Sequence, residues 1–274
     1  MATIFYKYCS INGNTKDSLE KQYFYYSQPS ELNDPFDGKV PGEYSSTADE
    51  LRSWVRRVKL SNIDVNKLAS DISNNSLREK MEEGNDELQE RYLIFCLSSV
   101  WNESLMWAHY AGSNSGICIG YNAIYEKNAF FLRLDLNNEN LYGLERNGDC
   151  YKAVLVDIKY TKHDNRPYNP FKNNIDAVKN SFFSKEPKWS YEKEYRSILI
   201  NTTAIKSIKR MRYLNNVLKE IIFGTTTSKK DMIDIYDLVV KQYSTRVKFY
   251  KIEIDEIKMI LNRVEITRND MDKY

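Results

Sequence analysis

Histidine is almost missing from this chain: His109 and His163 are the only two in 274 residues. Cysteine is scarce as well, and Cys9, Cys96, Cys118 and Cys150 form no CxxC pair. A zinc site draws on such ligands at close spacing, so no metal centre is expected. Long apolar runs are also lacking. The longest, around Tyr92–Leu97, falls far short of the roughly 18 residues a membrane-crossing helix needs, and the opening Met-Ala-Thr-Ile-Phe has no basic segment. A cytoplasmic protein with no membrane partner is expected. Neither sign of charge dominates: 40 Lys and Arg against 38 Asp and Glu leave a net +2. No whole-molecule field then draws the chain to nucleic acid, and any basic surface is local. Internal repeats and low-complexity linkers are absent too, which favours a single domain over residues 1–274.

Tyrosine, in contrast, is abundant at 21 residues. It fits a base-stacking surface or a compositional bias spread over the whole chain. The periodicity predicts strands at Thr3–Tyr8 and Tyr23–Ser27 with a short helix at Lys16–Glu20 between them. Charged, Leu-spaced sequence from Thr47 to about Arg91 predicts a helical insertion, about residues 47–91, with Leu51, Val55 and Val58 as its first apolar stripe. A compact unit follows: strand Tyr92–Ser98, helix Glu103–Ala111 capped by Asn102 and stopped by Gly112, and strand Gly116–Tyr121. Further strands are expected at Tyr151–Tyr160 and Glu192–Asn201, with a helix at Ile175–Ser184 between them. Leu218–Phe223, Lys229–Tyr243 and Val247–Ile254 make a C-terminal β-α-β segment of unread pairing. The fold class is α+β with a mixed central sheet.

Three local patterns place polar or aromatic groups where a plain core has no use for them. In Tyr25-Tyr26-Ser27-Gln28-Pro29-Ser30-Glu31-Leu32-Asn33-Asp34-Pro35-Phe36-Asp37 the prolines fix φ, and Asn33 and Asp34 can bond nearby amides, giving a rigid loop after a strand. It either packs Phe36 through an Asx turn or binds a ligand. In Leu105-Met106-Trp107-Ala108-His109-Tyr110-Ala111, Met106, His109 and Tyr110 share one helix side, where a half-buried structural histidine competes with a catalytic one. In Lys188-Trp189-Ser190-Tyr191-Glu192-Lys193-Glu194-Tyr195-Arg196, a strand puts Glu192, Glu194 and Arg196 on the face that continues to Ile198 and Ile200. Two carboxylates entering a core are either catalytic or tied down by Arg196 as an ion pair.

Taken in order, these three segments, with the Gly116-Ile-Cys-Ile-Gly-Tyr121 strand and the Ile221-Ile-Phe-Gly224 strand, resemble a bacterial domain-of-unknown-function family over roughly Tyr6–Gly224. That family looks like a divergent ADP-ribosyltransferase, and the resemblance implies an ADP-ribosyltransferase-like fold that cleaves NAD as its substrate. Such enzymes present a polar or aromatic group on the first strand, Ser or Tyr on the second and Glu on a later one. Tyr8, then Tyr26 and Ser27, then Glu194 match in order, although most such enzymes carry His or Arg at the position of Tyr8 and Ser-Thr-Ser on the second strand. The implied roles follow from the chemistry. Glu194 would stabilise the ribosyl cation left by nicotinamide, and Glu192 would serve the acceptor, a protein or a nucleic acid. Tyr26 would stack on nicotinamide, Ser27 would orient Glu194, and Lys7, Arg196 or the Asn33–Asp34 turn amides would hold the pyrophosphate. Enzymes of this kind and size act as toxins or in defence against phage.

Two other functions fit the same residues. A nucleic-acid-binding or nuclease effector would use His109, Glu192 and Glu194 with the basic runs Arg52, Arg56, Arg57, Lys59 and Lys206, Lys209, Arg210, Arg212. A non-enzymatic binding module would use Trp107, Trp189 and the tyrosines as anchors.

Overall fold

A computed structural model describes the chain except for residues 1, 62, 74–76, 136–140, 163–166, 173–174, 202–208 and 244–246. His163 and Lys206 therefore lie outside the described residues. The N-terminal third contains β1 (Ala2–Cys9), α1 (Gly13–Glu20), β2 (Tyr23–Tyr25), α2 (Ala48–Arg57), α3 (Val65–Ser73) and α4 (Arg78–Gln89). The middle contains β3 (Tyr92–Ser98), α5 (Ser104–Tyr110), β4 (Ile117–Glu126), β5 (Ala129–Leu134), β6 (Leu141–Tyr142), β7 (Leu144–Asn147), β8 (Cys150–Asp157) and β9 (Lys159–Tyr160). The remainder contains α6 (Ile175–Phe183), β10 (Ser184–Lys185), β11 (Glu194–Asn201), β12 (Arg210–Arg212), β13 (Leu218–Phe223), α7 (Lys229–Gln242), β14 (Lys248–Asp255) and β15 (Ile260–Glu265). Among the described residues no helix is long and apolar enough to cross a membrane.

The chain divides into two compact units, Met1–Tyr26 with Leu93–Ile158 and Lys188–Tyr274, and Ser27–Tyr92 with Lys159–Pro187. In the first unit β1, β3, β11, β8, β5 and β4 pair in that order, and β4 pairs back onto β1. The ring closes into a barrel, which leaves these strands without a free edge. Register runs from Ala2 opposite Ile124 to Cys9 opposite Ile117 along the β1–β4 seam. From β4 the sheet continues outward through β13, β14 and β15. The sheet is mixed as expected, with β13 and β14 parallel and joined through α7. Its closure is the departure from a simple central sheet.

Alternation along the strands explains the core. Ile117, Ile119, Tyr121 and Ala123 of β4 point to one cluster with Phe5, Leu93, Phe95, Leu97 and Leu199, whereas Cys118 belongs to a second cluster with Tyr6, Tyr8 and Trp107. β4 is buried on both faces because α5 covers the outer one, so its sequence reads as a nearly continuous apolar run. β2 does not join the barrel. It pairs with β12, and this ribbon buries Phe24 and Met211 in the barrel core. On α7, Met232, Ile235 and Val239 recur at helical spacing and are fully buried.

The second unit holds the expected helical insertion as α2, α3 and α4, together with α6 and the parallel pair β9–β10. Its apolar cluster is Tyr44, Leu51, Ile72 and Phe171. The first helix stripe is Leu51, Trp54 and Val55, because Val58 falls just past the helix end and is exposed. The strand expected over Tyr151–Tyr160 is split: β8 ends at Asp157 in the barrel, and Lys159–Tyr160 pairs in the second unit.

Candidate functional site

Two of the three sequence signatures meet in the first unit, around α5. The helix starts at Glu103, whose carboxylate accepts from Leu105 N at 3.4 Å, so Glu103 rather than Asn102 is the cap. It ends where Gly112 turns left-handed at φ +54°. The chain then re-enters the sheet at Gly116, where a Cβ would sit 2.3 Å from Cys9 O, so only glycine fits beside the end of β1.

From this helix three side chains reach different walls. Trp107, 1% exposed, packs edge-on against Tyr8 at 5.3 Å between ring centroids and donates Nε1 to Trp101 O at 2.8 Å. Tyr110 donates its hydroxyl to Glu192 Oε1 at 2.5 Å. His109 is exposed, not half-buried, and its ring lies 6.2 Å from Tyr191, which in turn lies 6.1 Å from Trp189. A row of aromatic rings thus flanks the Glu192 turn.

Glu192 is not on the strand. It closes the 3-10 turn Pro187–Glu192, and Lys193 next to it adopts φ +44°, a left-handed conformation that non-glycine residues rarely take. Lys193 O accepts from Ser99 N at 3.0 Å and Glu192 O from Ser98 Oγ at 2.7 Å, which anchors the turn on the end of β3. The strand starts only at Glu194. Steric cost at Lys193 sits between two buried carboxylates, and strain of this kind gathers at working sites.

Along β11 the two faces separate cleanly. Tyr195 and Ser197 turn into the barrel: Tyr195 packs 4.7 Å from Phe5, and Ser197 Oγ accepts from Tyr26 at 2.9 Å. Glu194 and Arg196 take the other face. Arg196 Nε reaches Glu194 Oε1 at 2.7 Å and Nη2 reaches Oε2 at 3.0 Å, a two-pronged pair with the residues 0% and 2% exposed. Ile198 and Ile200, expected in the core on this face, are half-buried.

Several expected contributors occupy structural positions. Tyr26 is fully buried in the barrel core against Phe95 at 5.4 Å, and Tyr8 donates to Val100 O at 2.9 Å. Burial pushes both hydroxyls far above the usual tyrosine pKa, so both remain protonated donors. Tyr26 also lies beyond the end of β2, as does Ser27.

In the second unit, the Asn33–Asp37 loop carries its own buried charges. Asp34 Oδ1 accepts from Phe36 N at 3.1 Å, the expected Asx turn, while Oδ2 is buried without a hydrogen bond. Phe36 does not pack; it is 66% exposed, and Asn33 is exposed as well. Asp37, 1% exposed, pairs with Lys185 Nζ at 3.3 Å. A buried carboxylate repels pyrophosphate, so the Asp34 side chain suits a hydrogen-bond donor instead. Arg52 pairs with Asp49 at 2.7 Å and Arg57 bonds Pro170 O at 2.6 Å, so part of the basic α2 face is engaged locally.

Sequence reasoning missed the partners. Tyr110 and Glu192 are 82 residues apart, and Asp37 and Lys185 belong to distant segments, so no local spacing announces either contact. The only signal was that each residue stood inside or near a conspicuous polar-aromatic pattern. Among the described residues, no group of three or more His, Cys, Asp or Glu is placed to hold a metal ion.

No curated protein and no solved structure matches the chain. Residues 106–197, which run from α5 to Ser197 and include Tyr110, Glu192, Glu194 and Arg196, match the family described as Protein of unknown function (DUF2971), so this stretch is similar to a domain of unknown function.

Proposed function

We propose that the chain is an NAD-cleaving enzyme, an ADP-ribosyltransferase or NAD glycohydrolase on an ADP-ribosyltransferase-like fold, with Glu194 and Glu192 in separate roles. The observation that carries this reading is the pair of buried carboxylates around Lys193, one gripped by Arg196 and the other by Tyr110. Buried charges cost several kcal/mol to desolvate, roughly per ion, and such cost is tolerated where a function needs a fixed charge. Arg196 fixes the direction of the Glu194 carboxyl group with two hydrogen bonds. Held in this way, the carboxylate would stabilise the positive charge that develops at the ribosyl C1′.

In the reaction the bond between C1′ and the nicotinamide nitrogen breaks, and nicotinamide leaves as a neutral molecule with the bonding pair. Glu194 stabilises the oxocarbenium-like centre. Glu192 takes the proton from the attacking hydroxyl of water or of the acceptor as the new C1′–O bond forms, and Tyr110 holds Glu192 in position. The exposed His109 and the adjoining Tyr191 and Trp189 offer the acceptor an aromatic flank. An acceptor that is protein or nucleic acid would make the chain a toxin or antiphage effector. The reading is tested by release of nicotinamide from NAD by the purified protein; no release under any condition, including added cell lysate, removes it.

A further inference from the structure

The outermost strand of the first unit has a free edge. β15 ends the strand order, and it pairs only with β14 among the described residues. Because Ile266 N donates to Phe249 O, alternate residues back along the strand turn their amides towards β14, and Leu261, Arg263 and Glu265 turn theirs outward. Ile260 and Val264 are 46% and 41% exposed, and the hairpin tip beyond them holds Ile257 at 95% and Met259 at 85%. The edge carries no proline and no bulge, the usual devices that stop such an edge from pairing.

We propose that this edge is an interface on which a second copy of the chain docks, β15 against β15 in antiparallel pairing, to make one continuous sheet across a two-fold axis. Charge selects the register. Only pairings that place outward-facing residues opposite one another can form the ladder, and a two-fold axis leaves few of them. Centring on Arg263 sets it against its own copy, and centring on Glu265 does the same for that carboxylate. Centring on Asn262 sets Arg263 against Leu261. Centring on Val264 puts Arg263 opposite Glu265 of the second copy on one face and Val264 opposite Val264 on the other, so opposite charges meet and apolar groups meet. Arg263 already bonds Glu220 of β13 at 2.5 Å and stacks over Tyr250 of β14 at 4.4 Å, so its guanidinium lies over the sheet inward of the edge, and Glu265 of the second copy meets it by reaching across the seam to a remaining N–H. The same register carries the exposed hairpin tip alongside the segment that follows β15 in the second copy.

The test uses the full chain. Wild type should sediment at twice 32.3 kDa at micromolar concentration and dissociate on dilution. Glu265→Arg opposes two arginines across the axis and should give a folded monomer with unchanged activity and the thermal stability of dilute, dissociated wild type, since its present partner Lys248 is an exposed surface contact. Under mild oxidation Val264→Cys should crosslink to a covalent dimer, whereas Asn262→Cys, opposite Ile266 in this register, should not. Hydrogen exchange at Leu261, Arg263 and Glu265 should be slow in the dimer and fast in Glu265→Arg. A wild type that stays monomeric, a dimer indifferent to Glu265→Arg, or crosslinking at 262 rather than 264 overturns the proposal. So does a monomer whose edge protects only on adding an unrelated extended peptide.

Discussion

Arg196 grips Glu194 with two parallel hydrogen bonds, at 2.7 and 3.0 Å, from a position two residues along the same strand, with both side chains buried. That arrangement makes each residue dependent on the other. Removing one partner of a buried pair strands the other charge and costs about 3 to 5 kcal/mol, whereas replacing both with apolar groups is often neutral. Glu194→Leu and Arg196→Met alone should each melt well below wild type, while the two together should recover most of the loss. Thermal melts of the four proteins give the cycle; single variants as stable as wild type would show that the pair carries no stability.

The bond from Tyr110 to Glu192 is a hydrogen bond to a charged acceptor, a kind that contributes about 1.5 to 3 kcal/mol. Tyr110→Phe should lower Tm by several degrees and, if Glu192 has the acceptor-side role proposed for it, reduce transfer to the acceptor more than cleavage of NAD. Equal losses in both rates, measured on the folded variant, argue against the separate roles.

Tyr26 was a natural choice for stacking on nicotinamide, yet it sits in the barrel core bonded to Ser197. Tyr26→Phe should therefore cost about 1 kcal/mol of stability and leave KM for NAD unchanged. A KM that rises tenfold in a variant of near-normal stability would return Tyr26 to the ligand.

Much of the secondary structure was legible because periodicity is local. The strand Ile117–Glu126, the helix of α7 and the strand Glu194–Asn201 stand close to where alternation and helical spacing put them. Barrel closure was not legible: the seam of Tyr6 against Gly120 joins segments more than a hundred residues apart, and nothing in either segment names the other. At the site, the composition of the YEKEYR segment gave away its importance but not its shape. Strand alternation put Glu192 and Glu194 on one face, and the left-handed turn at Lys193 cancels that alternation. The ion pair that strand spacing offers as a structural explanation of Arg196 is present, and the role proposed for Glu194 rests on chemistry rather than on spacing.

Lys251 offers a pH test away from the site. Its Nζ donates to the carbonyls of Gly224 and Thr225, and burial pulls its pKa down to about 8 from 10.5. Between those values the unfolded chain binds the proton that the folded chain has lost, so stability rises with pH across this window. The buried thiols of Cys9 and Cys118, whose pKa burial raises, pull the other way within the same window because the unfolded thiols ionise there, and buried tyrosines such as Tyr121 do so above about pH 10. Between about pH 8 and about pH 10 the slope of Tm against pH should therefore be more positive in wild type than in Lys251→Met. Identical slopes in the two proteins would remove Lys251 as the cause.

The central claim is that Glu194 stabilises the charge that appears when NAD loses nicotinamide. The direct measurement is the rate of nicotinamide release by wild type and by Glu194→Gln, at a temperature where circular dichroism shows the variant folded. Loss of one preorganised electrostatic group costs about 2.7 to 4 kcal/mol in the transition state, so release should fall roughly 100-fold or more. A folded Glu194→Gln that releases nicotinamide at the wild-type rate would contradict the account, and the Glu194–Arg196 pair would then be a structural fastening of the barrel alone.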